Sequence, residues 1–145
     1  VPNSAKALGL LARISANSGA LDAALDWSHR AITADKIDPA LHYLHAVILN
    51  EIGRQTDAAA SLRRSLYLAP DFVLAHYLLG VLAQADANPG GARRHRGNAL
   101  SILVRRPPDE TVDDDASLSI AALTDIIRAM LVGAVEIAPL RDSGT

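Results

Sequence analysis

The stretch SLRRSLYLAPDFVLAHYLLG, residues 61–80, decides the fold. It reads as helix on both sides of Pro70. A proline inside a helix removes a hydrogen bond, clashes with the preceding turn and costs about 3 kcal/mol. The chain avoids that cost if Pro70 stands at a corner between two helices. Residues before a proline avoid the α region, so the first helix ends just ahead of it. Asp71 then places a carboxylate near the amino-terminal dipole of the second helix. Asp38 and Pro39 repeat the device one step earlier, as N-cap and first helical residue.

The step has a fixed length. NSGALDAALDWSHRAI (17–32), EIGRQTDAAASLRRSL (51–66) and ADANPGGARRHRGNAL (85–100) align at intervals of 34 residues. Gly19, Gly53 and Ala87 form one column, and Ala24, Ala58 and Ala92 a second. Ala31, Ser65 and Ala99 form a third, and Ala12, Ala46 and Gly80 a fourth. Small residues recurring at 34 are the pattern of the tetratricopeptide repeat, a pair of antiparallel helices per unit. Small side chains belong where helices come closest. Gly19 and Gly53 end first helices, where a left-handed residue is wanted. The spacing predicts an all-α solenoid of three helix pairs with a C-terminal capping helix. Expected helices span about 4–17, 21–34, 39–52, 56–68, 72–86 and 90–105, in units of about 4–37, 38–71 and 72–106. None buries its apolar stripe alone, so stacking must do so.

Bulk composition narrows the function. The 145 residues fit one domain or a short repeat array, and the formal charge of −2 gives no general pull towards nucleic acid or anionic lipid. There is no cysteine, so no disulfide framework and no thiolate metal site. That fits a cytoplasmic, reducing setting. No apolar run approaches 18 residues, so no membrane span is expected. No alternating strand pattern is visible, and nothing at the amino end looks like a signal peptide. The chain starts at Val1 without a methionine, which suits a piece of something longer.

Residues 107–117, PPDETVDDDAS, read as an extended acidic linker. A last helix is expected over 118–135, with Ser119 as N-cap and Leu118 and Leu123 as a hydrophobic staple. Leu123, Ile126, Ile127, Met130 and Leu131 would form its apolar stripe. That stripe caps the third pair, fills the groove or meets another chain. Residues 136–145 read as a disordered tail.

A narrower likeness lies in DPALHYLHAVILNEIGRQTDAAASLRRSLYLAPDFVLAHYLLG (38–80), ARRHRGNALSIL (92–103), PPDE and LTDIIRAML (123–131). Together they resemble the repeat region attached to CheR-type chemoreceptor methyltransferases of bacteria. In that family a catalytic domain moves a methyl group from S-adenosylmethionine to receptor glutamates, and the repeats mediate protein contacts. The resemblance implies a non-catalytic regulatory or targeting segment, with a chemoreceptor or signalling protein as partner. No glycine-rich strand-to-helix loop for the cofactor is present, so no cofactor site is assigned here. Lys36 stands in place of the first unit's closing proline, and Ala87–Asn88 replaces the third unit's glycine. A stand-alone scaffold or assembly adaptor is the alternative.

Chemistry is sparse. His42 and His45 lie three apart on one helix and His76 repeats the column of His42. They serve either helix packing or a metal, and the absence of a nearby carboxylate favours packing. Ser4, Ser15 and Ser28 have no triad arrangement. Arg93, Arg94, Arg96, Arg105 and Arg106 precede Asp109, Glu110, Asp113, Asp114 and Asp115. The two blocks either pair or form solvated faces. No aromatic residues interleave the arginines, which argues against nucleic acid. Trp27 either anchors a partner or packs on the outer helix layer.

First helices line the concave face of such arrays. By repeat position the inner residues are Lys6, Arg13 and Asn17 in unit one. They are Tyr43, Val47, Asn50 and Glu51 in unit two, and Leu74, Tyr77, Val81 and Gln84 in unit three. Tyr43 and Tyr77 share a column, and tyrosine offers contact area at low entropic cost. The lysine and asparagine set that clamps a free C-terminal carboxylate is not reproduced. A protein or peptide segment with apolar and tyrosine-compatible side chains is the expected occupant.

Overall fold

In a computed structural model of the chain, Pro70 stands outside both of its neighbouring helices. Helix α4 (Gln55–Leu68) ends before it and α5 (Val73–Ala85) begins after it. The Phe72 amide donates to the Ala69 carbonyl at 3.0 Å, closing a turn with Pro70 at its second position. The structure describes residues 4–113 and 115–143, with side chains placed at 4–113 and 117–133.

The other helices are α1 (Ala5–Asn17), α2 (Leu21–Ala34), α3 (Pro39–Ile52), α6 (Pro89–Leu103) and α7 (Ile120–Ser143). Starts and stops follow local chemistry. Ser4 caps α1, Asp38 caps α3 by accepting from the Ala40 amide, and Asn88 caps α6 by accepting from the Gly91 amide. Gly19 and Gly53 hold φ of +82° and +95° after α1 and α3. Ala87 holds the same column at φ +54°, a region that costs a side-chain-bearing residue about 1–2 kcal/mol. Ala87→Gly should therefore stabilise the protein by about 1 kcal/mol, raising its melting temperature by about 2–4 °C. An unchanged or lower midpoint in a thermal scan would contradict the strain.

Two compact units emerge, Val1–Ala75 and His76–Thr145. In the first, α1 packs on α2, α3 on α4, and α3 against α1 and α2. One buried cluster joins Ala12, Ala24 and Ile48, bordered by Leu44, Ile52 and Trp27. A second joins Leu8, Ala31 and Leu41. The alanine columns are buried because the helices approach closely there: Ala12, Ala24, Ala31 and Ala58 are all at 0% exposure. Ser65 takes an alanine position by donating its hydroxyl to the Pro39 carbonyl at 2.9 Å. Trp27 is half-buried in both clusters, with the Arg30 guanidinium 4.6 Å above its ring.

In the second unit, a Cβ built on Gly80 would lie 3.4 Å from Arg96 Cγ and 3.6 Å from the Ala92 carbonyl. Arg96 is buried there and donates to Gln84, rather than joining a solvated basic face. Arg93, Arg94 and Arg105 are exposed.

The expected linker corrects to a small folded element. Strands β1 (Thr111–Val112) and β2 (Asp115–Ser119) pair antiparallel, with Thr111 opposite Ser119 and Val112 opposite Asp115. It is held in part by Val112, which is fully buried, and by Arg106, which reaches Asp113 at 3.2 Å and the Thr111 carbonyl at 3.1 Å. Its carbonyls also serve α7. Glu110 accepts from the Ile120 amide and Pro108 from the Ala121 amide, while Ser119 caps through the Ala122 amide as expected.

Helix α7 lies against α6. Its buried stripe is Ile120, Leu123, Thr124 and Ile127, whereas Ile126 is 42% exposed. The phase differs from the expected stripe because Thr124 turns inward, its hydroxyl satisfied by the Ile120 carbonyl at 2.7 Å. Of the expected tail, residues 136–143 continue α7, and 144–145 lie outside the described residues.

Candidate functional site

The residues expected to line the first-helix face are described unit by unit. In the first unit Lys6, Arg13 and Asn17 are exposed on α1. Tyr43, Val47 and Asn50 are half-buried on α3, and Glu51 is exposed. Spacings of three, four and seven keep each set on one side of its helix. Tyr43 rests against Phe72, ring centroids 5.6 Å apart at 47°. Leu74 corrects the expectation: it is 6% exposed. It sits in a turn where Phe72, Val73 and Ala75 are also buried, so its side chain is core. In the second unit Tyr77 and Val81 are half-buried and Gln84 is exposed, accepting from Arg96. The first unit thus keeps half-covered Tyr43, Val47 and Asn50 beside exposed charges, and the second unit keeps half-covered Tyr77 and Val81.

The sequence reading missed a cleft of about 430 Å³ between α2, α3 and α4. Asp22, Asp26 and Asp57 line it with Arg54, Arg64, His29 and His45. His45 stacks on His29 at 5.5 Å, and its Nδ1 lies 2.8 Å from Ser28 Oγ. That pair superficially suggests a nucleophile and its base. However, the Ser28 hydroxyl already donates its only hydrogen to the Leu25 carbonyl at 2.9 Å. The His45 Nδ1 must then carry the proton and donate to Ser28. A hydroxyl that is 1% exposed and bonded to backbone is a structural group. A signal existed in one column: His45 is the polar entry between Leu11 and Leu79, whereas the Ser28 column runs Ser28, Leu62, Arg96 and marks nothing.

His45 is pushed down to about 4, chiefly by burial, with His29, His42, Arg54 and Arg64 adding unfavourable positive potential. Unfolded, it titrates near 6.5. As pH falls through that window the unfolded chain takes the proton first, so stability drops from about pH 6.5 and the loss is complete below about pH 4. Partial solvent screening limits the loss to about 1–2 kcal/mol. His45→Leu should remove this component, so urea midpoints of the variant should fall less than wild type over the same window. Equal slopes would assign the acid sensitivity elsewhere.

His42 and His45 do not converge. His42 donates from Nε2 to the Lys36 carbonyl at 2.9 Å, while His45 is held by Ser28. Among the described residues no three His, Asp or Glu side chains gather where a metal could be held. A second cleft of about 550 Å³ combines Ile32, Tyr67 and Leu68 with Lys36, Arg63 and Arg64. Tyr67 there is 87% exposed. Among the described residues no helix is long and apolar enough to cross a membrane.

Helix pairs at a 34-residue step, closed by α7, define an all-α protein of the tetratricopeptide fold. Solved structures agree. PcrH in complex with the chaperone binding region of PopD has TM-score 0.78 at 14% identity, over 92% of each chain. The TPR2B domain of yeast Sti1 in a pHsp70 complex has TM-score 0.74 at 15% identity, over 91% of this chain and 96% of that one. MamA has TM-score 0.69 at 19% identity, and the chain spans 61% of its length. No family model matches the chain, and no curated protein matches its sequence.

Proposed function

We propose that the chain is a protein-binding module that holds a partner segment on the first-helix face of its pairs. The observation that carries this is the half-exposed set Tyr43, Val47 and Asn50 on α3, repeated by Tyr77 and Val81 on α5. Proteins of the same fold support it: PcrH and the Sti1 domain were both solved with bound partners. The segment that suits this face carries apolar and tyrosine-compatible side chains. The module works by positioning, in a cytoplasmic setting, and does no chemistry itself.

A stand-alone scaffold fits the fold as well as a regulatory segment does. The chemoreceptor-methyltransferase setting rests on the segments at 38–80, 92–103 and 123–131 alone. In that setting S-adenosylmethionine belongs to a catalytic domain outside these residues, and the partner is a receptor or signalling protein. The reading frame upstream of Val1 separates the two, since only one setting requires an encoded methyltransferase domain.

The binding role is tested by capture of partners from the native host, identification by mass spectrometry and titration. Replacing both Tyr43 and Tyr77 with alanine should leave helical content intact. Each buried aromatic contact contributes about 1–2 kcal/mol, so affinity should fall about 30-fold or more. Unchanged affinity would remove this face as the site.

A further inference from the structure

The 34-residue register lets the first helix be compared with the third, position by position. On α3, Leu41, Leu44, His45 and Ile48 are the side chains turned towards the preceding pair. Leu41 packs with Leu8 and Ala31, Ile48 with Ala12 and Ala24, and His45 bonds Ser28. One step back on α1 these positions are Ala7, Leu10, Leu11 and Ile14. Leu10 is 57% exposed, Leu11 38% and Ile14 55%, whereas Ile48 is at 0%. The same face that is covered on α3 is therefore built, apolar and open on α1.

We propose that this face of α1 is a docking surface for a further helix pair. The molecule itself shows what fits such a face: the surface of Ala12, Ala16 and Ala24 with Leu25 and Trp27 beside it, which receives Leu44 and Ile48. The occupant is a helix pair with an alanine-rich inner surface. It carries carboxylates at the edge, because α1 presents Lys6 and Arg13 and has no acidic residue. Two copies of α1 face to face would instead bring these cations together, which disfavours self-pairing. This surface adjoins the partner-binding face proposed above along Lys6 and Arg13, and differs from it in being built on Leu10, Leu11 and Ile14.

The test uses the full chain extended by a second copy of residues 4–37, joined in tandem ahead of residue 4. Amide exchange across the original α1 should slow at least tenfold, and the thermal midpoint should rise. Leu10→Ser with Ile14→Ser in the original α1 should cancel both gains. In the unextended chain that double variant should keep its circular dichroism spectrum, since both side chains stand in solvent. Exchange in α1 that is unaltered by the added pair would overturn the proposal. So would a wild-type dimer in sedimentation that Leu10→Ser and Ile14→Ser abolish, because the occupant would then be a second copy.

Discussion

Gly80→Leu should lower stability by about 3 kcal/mol, with a fall in melting temperature of about 6–12 °C. The position admits little. A single added carbon already meets Arg96 Cγ at 3.4 Å, the Ala92 carbonyl at 3.6 Å and His95 Cβ at 3.7 Å. The backbone oxygen cannot swing away as a long side chain can, so a leucine must push α5 and α6 apart. Gly80→Ala is the informative control. Alanine reaches ordinary contact distance and gains about 1 kcal/mol of helix propensity over glycine, so it should be neutral or mildly stabilising. A leucine variant melting with wild type would mean that the two helices do not meet at this column.

Ile48→Ala should cost about 3 kcal/mol, within the usual range for a buried isoleucine cut to alanine. Ile48 is fully buried against Ala12 and Ala24. The methyl groups of Ala12 and Ala24 have no other rotamer with which to reach into the space, so the cavity persists. The same substitution one step back, Ile14→Ala, removes a side chain that is 55% exposed. It should change stability by no more than about 0.5 kcal/mol. Denaturant titrations of both variants give the contrast directly. Equal losses would show that Ile14 is covered and would contradict the open α1 face.

The sequence spoke clearly where structure is locally punctuated. Pro70, Pro39, Gly19 and Gly53 mark corners through their own backbone limits, and helices α1–α6 fall within two residues of the expected spans. The alanine columns carried the repeat because close helix contact excludes anything larger. What stayed hidden depended on distant neighbours. Leu74 occupies an inner repeat position, yet its turn is buried throughout. The β1–β2 ribbon is too short for an alternating pattern, and Arg106 and Val112 hold it through contacts no local rule foretells. In α7 the apolar residues between 123 and 131 permit more than one face, and Thr124 chose the outcome by bonding its own helix. The Ser28–His45 bond was legible only in part, through His45 as the polar exception in a column with Leu11 and Leu79.

Trp27 lies in the clusters of the first unit, and it is the sole indole of the chain. Tryptophan emission, excited beyond the tyrosine absorption band, therefore watches one half of the molecule and is blind to the other. Comparing that optical signal with total ellipticity during chemical melting would reveal whether the halves let go together or in sequence. No label or engineered fluorophore is needed.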